Sequence, residues 1–225
     1  MARSASALGR WSALIAAASS LAFTVTGVLG LVGALRSPWN PVIPDAASFI
    51  LAISFVVMMA CLYESAPREA RAWALSGLAI AILYAAAVSI VYMTIITFVT
   101  PSLERGGSAL AAPFVFDVNG SFMQAVDGLG YFFQCLATLL AAPMFAAVAQ
   151  RWLRRAFVAN GVVGFFVLFS YMPLVFPSPL YPVIEGVAAL WILTLPAAAL
   201  LSAQYFRAAA SAPSSAQAVV SAVRP

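Results

Sequence analysis

QAVDGLGYFFQCLATLLAAPMF, residues 124–145, decides what kind of protein this is. The stretch is apolar enough to cross a bilayer, yet it carries Gln124, Asp127, Tyr131, Gln134 and Thr138 at offsets of three, four, three and four. Those offsets put all five on one helical face. At about 1.5 Å rise per residue the stripe is about 21 Å long, most of the roughly 30 Å hydrocarbon thickness. A lipid-facing helix does not keep a carboxyl group and two amides there, so this face should point at protein or at water. The rest of the chain then reads as the partners that cover it.

Composition supports that reading. The 225 residues are 64% hydrophobic and 8% charged, with a mean hydropathy of +1.01. Such a chain belongs with multi-pass helical membrane proteins and leaves almost nothing for a soluble domain. The net charge of +4 comes from eleven arginines against seven acids, and there is neither Lys nor His. Without Lys there is no Schiff base to retinal or pyridoxal phosphate. Without His there is no bis-imidazole haem, no ordinary zinc site and no Ser-His catalysis. No cofactor is expected, and the absence of Lys beside abundant Ala and Arg points to a GC-rich, bacterial genome. Cys61 and Cys135 lie in apolar runs and read as buried thiols, and no CxxC suggests a metal.

Taken in order, residues 1–10 are polar and basic and form a cytoplasmic N-terminus. The apolar run 11–35 is longer than a signal-peptide core of roughly 7 to 15 residues and reads as an uncleaved first span. Its Gly27, Gly30 and Gly33 give a surface smooth enough for close helix approach. Residues 36–45, RSPWNPVIPD, hold three prolines and read as a loop. Further spans are expected at about 46–63, 72–100, 121–149, 156–176 and 183–206, the last kinked at Pro196. Tyr84, Val88 and Tyr92 share one face of the third span, and its tyrosines should seek hydroxyl or carbonyl partners. The connection 101–120 is the longest, and its apolar middle, 109–116, is too short to cross and should cap the bundle or lie at the interface. Residues 207–225 are Ala/Ser-rich and are expected to be a disordered cytoplasmic tail.

If the six spans alternate, nine arginines fall at one set of ends and only Arg36 and Arg105 at the other. The positive-inside rule then puts both termini in the cytoplasm. The acids lean the opposite way: Asp45, Glu104, Asp117, Asp127 and Glu185 fall on or near the outer side, and only Glu64 and Glu69 inside. Acids contribute little to topology, so this second asymmetry points to function.

The candidate site is an outward-facing polar pocket built from Asp127, Gln124, Tyr131 and Gln134, with Glu185, Tyr92 and Tyr171 as neighbours. An ionisable residue inside a span is a functional hypothesis by default, suited to carrying a proton or attracting a cation. The alternative is that Asp127 is satisfied by Tyr and Gln on neighbouring helices and holds the bundle in register. No Gly-rich phosphate loop and no GxSxG is present, and the dispersed arginines give nucleic-acid binding no support. Asp127-Gly128-Leu129-Gly130-Tyr131, followed by Gln134 and Thr138 in a six-span chain of this length, resembles uncharacterised small bacterial six-helix integral membrane proteins. That resemblance implies the layout and no activity.

The expectation is therefore an all-α bundle of six transmembrane helices in a bacterial plasma membrane. It would be non-enzymatic, moving or sensing a small solute or proton, with the lipid bilayer as its surroundings and a homo-oligomer as a further partner. Two other readings stay open. An enzyme acting on a lipid or apolar substrate should show a second carboxylate within hydrogen-bonding reach of Asp127. A scaffold subunit should show a closed core and an exposed groove of small residues.

Overall fold

The computed structural model describes residues 3–107, 109, 111–115, 121–172 and 179–211. Within them all the regular structure is helical: α1 (Arg3–Leu31), α2 (Trp39–Ser65), α3 (Arg71–Thr94), α4 (Thr100–Glu104), α5 (Phe122–Ala141), α6 (Arg151–Ser170), α7 (Tyr181–Ala188) and α8 (Trp191–Ser211). Six helical segments, 23 to 37 residues long, are long and apolar enough to cross a membrane.

Each neighbour in the bundle is set by packing. α1 lies on α2, α2 on α3, α3 on α5, α5 on α6, α6 on α8, and α8 returns to α1, closing a ring of six. Leu51, Phe55, Met58, Leu62, Val88, Phe157 and Leu195 fill its inside. Large apolar side chains, among them Ile50, Ile53, Ile82, Leu83 and Ile90, stay exposed outside. Such a belt would be a liability in water and is compatible with an integral membrane protein in contact with lipid.

The seam of small residues on α1 is Ala13, Ala16, Ala17 and Ser20, all buried at helical spacing. The expected glycine seam is not where the helices meet. A Cβ on Gly27 would meet nothing within 4 Å, and Gly33 lies beyond α1 with a φ of +73°. A turn demands that conformation, and glycine adopts it without strain.

Helix bounds depart from the hydropathy reading in physically legible ways. α1 begins at Arg3, because a helix does not stop where the apolar slab does. α2 begins at Trp39, inside the stretch expected to be a loop. Proline is tolerated in a first turn whose N–H groups have no helical acceptor, so Pro38 caps the helix and Pro41 falls within it. Asp45 thereby moves from a loop into a helix.

Between α3 and α4, Ile95–Val99 is a π-helical turn, directly before Pro101, which cannot donate into a regular helix. The last span is interrupted at residues 189–190, between α7 and α8, while α8 runs on through the buried Pro196. Phe114, in the connection expected to cap the bundle, packs edge-on against Phe98 and Phe122. Cys61 and Cys135 are both free and buried. The expected disordered tail lies outside the described residues from position 212 on, and residues 207–211 belong to α8.

Candidate functional site

The stripe on α5 faces protein, as its spacing requires. Ser121 caps the helix, its hydroxyl accepting from the Gln124 N–H at 3.1 Å. Asp127, Tyr131, Gln134 and Thr138 are all buried, and Gln124 is half-buried. Gly128 and Gly130 let neighbours close in on either side. A Cβ at Gly128 would strike Tyr171, and one at Gly130 would strike Val88 of α3.

Tyr131 is the hub. Its hydroxyl lies 2.6 Å from the Tyr92 hydroxyl of α3 and 3.1 Å from the Ser48 hydroxyl of α2. Its ring stands edge-on to Trp191 of α8 with centroids 4.8 Å apart. Phe23 of α1 closes the cluster, 6.2 Å from Tyr131 and 6.1 Å from Trp191. One residue of the stripe thus touches four other helices. Tyr84, expected on the same face as Tyr92, packs its ring 6.2 Å from Tyr131, but its buried hydroxyl has no hydrogen-bond partner.

Asp127 is 2% exposed and accepts a 2.8 Å hydrogen bond on Oδ2 from the Tyr171 hydroxyl, while its Oδ1 is buried without a partner. It lines a cavity of about 560 Å³ together with Tyr92, Tyr171, Phe23 and Asp45. Asp45 is 8% exposed, and its Oδ2 is likewise buried without a partner. The two carboxyl groups are near enough to interact electrostatically, but no hydrogen bond joins them. The exposed Leu31, Leu103 and Glu104 form the cavity rim, where Ser37 donates to Glu104 Oε1. The cavity therefore reaches from the surface at one end of the bundle down to two buried carboxyl groups. No arginine among the described residues lines it.

A second cavity, of about 480 Å³, adjoins the first. Gln124, Tyr131, Tyr171 and Glu185 line it, with Trp191. Phe23 and Tyr171 line both cavities and form the wall between them. Tyr181 donates to the Ser170 carbonyl at 2.7 Å, tying α7 to the end of α6 beside this second cavity.

Of the seven site residues expected from sequence, Asp127, Tyr92 and Tyr171 meet in the first cavity. Gln124, Tyr131, Tyr171 and Glu185 meet in the second. Gln134 reaches neither: fully buried, it accepts from Trp191 Nε1 at 2.8 Å. Below it, Asn160 donates to Thr138 Oγ1 and accepts from Thr194 Oγ1, each at 3.0 Å, joining α5, α6 and α8. Sequence reasoning passed over Phe23 and Trp191, and it counted Asp45 among the outer-side acids without placing it in the pocket. The signal for Asp45 was a proline-led helix start, which would have placed it three residues before Ser48 on an inward face.

Nothing among the described residues groups three or more His, Cys, Asp or Glu side chains as metal ligands. The site's chemistry is that of carboxyl and phenol groups with unused acceptor capacity. No family model matches this chain, and no curated protein and no solved structure matches it either.

Proposed function

We propose that this chain is an integral protein of a bacterial plasma membrane, with both termini cytoplasmic, that takes a proton or small cation from the outer side in transport or sensing. The observation that carries the reading is the first cavity. It runs from an exposed rim to Asp45 and Asp127, each nine-tenths or more buried and each keeping one oxygen without a partner. Buried carboxyl groups in a bilayer are costly, and folding alone does not require two that each keep a buried oxygen without a partner among the described residues. Orientation follows from the charges. Arg10, Arg68, Arg71, Arg151, Arg154 and Arg155 fall at the end opposite the cavity, and only Arg36 and Arg105 at the cavity end.

Two carboxyl groups in one cavity also suit general acid and base work on an apolar substrate. They share no hydrogen bond, so they lack the shared-proton arrangement of a catalytic acid pair, and binding is the better reading. A scaffold role has less support, because Gly27 and Gly30 line the cavity and form no free groove.

Carboxyl infrared difference spectroscopy on the purified protein in lipid tests the reading, with Asp127→Asn and Asp45→Asn to assign the bands. Bands from both groups that answer external pH or sodium are the expected result. Bands that answer neither would mean that the pair is structural and the reading is wrong.

A further inference from the structure

Three features of the first cavity restrict what can occupy it. Its volume of about 560 Å³ is that of a site for an organic molecule, far more than a bare ion fills. Its sign is negative, with Asp45, Asp127 and Glu104 in its lining and no arginine. Its lining includes three aromatic rings, those of Phe23, Tyr92 and Tyr171, the last hydrogen-bonded to Asp127.

The unpartnered atoms sharpen this. Asp45 Oδ2 and Asp127 Oδ1 are acceptors, each buried and without a donor among the described residues. A ligand that satisfies both brings at least two N–H or O–H groups, and the acidic lining favours a positive centre. A primary ammonium has three such donors and no acceptor, and a quaternary ammonium has none. Aromatic faces add attraction for either kind of cation.

We propose that this cavity is a binding site for a small primary organic ammonium ion. Its N–H groups donate to Asp45 and Asp127, and its apolar body lies against Phe23, Tyr92 and Tyr171. The inference rests on the proposed function, of which it names the solute class. Gly27 and Gly30 keep the α1 wall low enough for that body: a Cβ at Gly27 would meet nothing within 4 Å, and one at Gly30 nothing nearer than Asn40 at 3.8 Å.

The test is calorimetric titration of the full chain in lipid nanodiscs with 2-phenylethylammonium. Its uncharged analogue, 2-phenylethanol, and phenyltrimethylammonium serve as comparisons. The amine binds and the alcohol does not. The quaternary ion binds about tenfold or more weaker, having lost its charge-assisted hydrogen bonds. Asp127→Asn and Asp45→Asn each weaken the amine by at least about 30-fold. Gly27→Leu, whose side chain grows into open space, blocks binding while the unfolding midpoint stays that of the parent protein. Equal affinity for amine and alcohol, or amine binding indifferent to all three substitutions, overturns the ammonium site. If the amine fails to bind while the Asp127 band still answers pH or sodium, the solute class falls and the proposed function stands. If the band answers none of them, both fall.

Discussion

Gly128→Ala puts the partition between the two cavities under direct strain. A methyl group on Gly128 would lie 2.4 Å from Cγ of Tyr171 and 2.8 Å from its Cβ and Cδ1. Carbon atoms settle at about 3.5–4.0 Å, so one side must yield by about 1 Å. The atoms struck are those nearest the Tyr171 backbone, and turning the ring about its own axis gives no relief. The end of α6 must withdraw, or Tyr171 must change rotamer. Either movement takes the hydroxyl away from Asp127 Oδ2, now 2.8 Å distant.

Overpacking of this kind costs about 1–3 kcal/mol. The lost hydrogen bond adds about 0.6 kcal/mol by the average for membrane helices. The gain in helix propensity on leaving glycine returns about 0.5–1 kcal/mol. A net loss of about 1–3 kcal/mol follows. Reversible unfolding in mixed micelles measures it, and the Asp127 carboxyl infrared band reports the broken bond. Gly27→Ala is the internal comparison: it gains the same propensity with no clash and should be as stable as the parent or up to about 1 kcal/mol more so. A Gly128→Ala protein with the parent midpoint and an unmoved Asp127 band would refute the placement of Tyr171, and the wall between the cavities with it.

Tyr84→Phe removes a buried hydroxyl that has no partner and should leave stability unchanged or raise it by about 1 kcal/mol. Tyr131→Phe strips the partner from both Ser48 and Tyr92 and should cost about 1–2 kcal/mol; equal effects of the two in the same unfolding assay would contradict the hub. Asn160→Leu breaks the bonds to Thr138 and Thr194 at a fully buried site and should cost about 1–3 kcal/mol, seen as a lower unfolding midpoint. For orientation, both native cysteines are replaced by Ala and a single Cys is placed at Gly107 or Ala147. An impermeant maleimide should reach Gly107→Cys in intact cells and Ala147→Cys only after permeabilisation; the reverse pattern would turn the bundle over.

How much of this was legible in the sequence depends on which physical signal each feature leaves. Six helices were legible because apolar length alone marks them, but the same signal blurred their ends. Hydropathy marks a slab of lipid thickness, whereas α1 continues to Arg3 and α8 to Ser211 beyond it. The α5 stripe was legible because its period belongs to one helix. The grouping of its partners was not, since that depends on how six helices turn about their axes. Glu185 and Gln124 consequently share a cavity with Tyr171 that Asp127 does not line, and the Gln134 carbonyl oxygen is taken by Trp191. The π-helical turn at Ile95–Val99 left only the faint mark of Pro101, yet Ile95 and Val99 line the carboxylate cavity.

Asp45 shows the most instructive failure. Three prolines made its segment read as loop, so it counted among the outer-side acids but not among the pocket residues, because water satisfies a loop acid. With Pro38 and Pro41 at the helix start and Pro44 inside the helix, the same residue becomes a buried carboxyl group on the cavity that Asp127 lines. The surplus of acids at one end of the bundle then has a structural account. Asp45, Glu104 and Asp127 surround one cavity and Glu185 lies in the next, while Asp117 falls outside the described residues. Topology did not need those charges, since acids weigh little in orientation. Packing did not need them, since two of their buried oxygens have no partner. Two buried acceptors that local choices leave unpartnered on one cavity are where the proposed ligand would complete the structure.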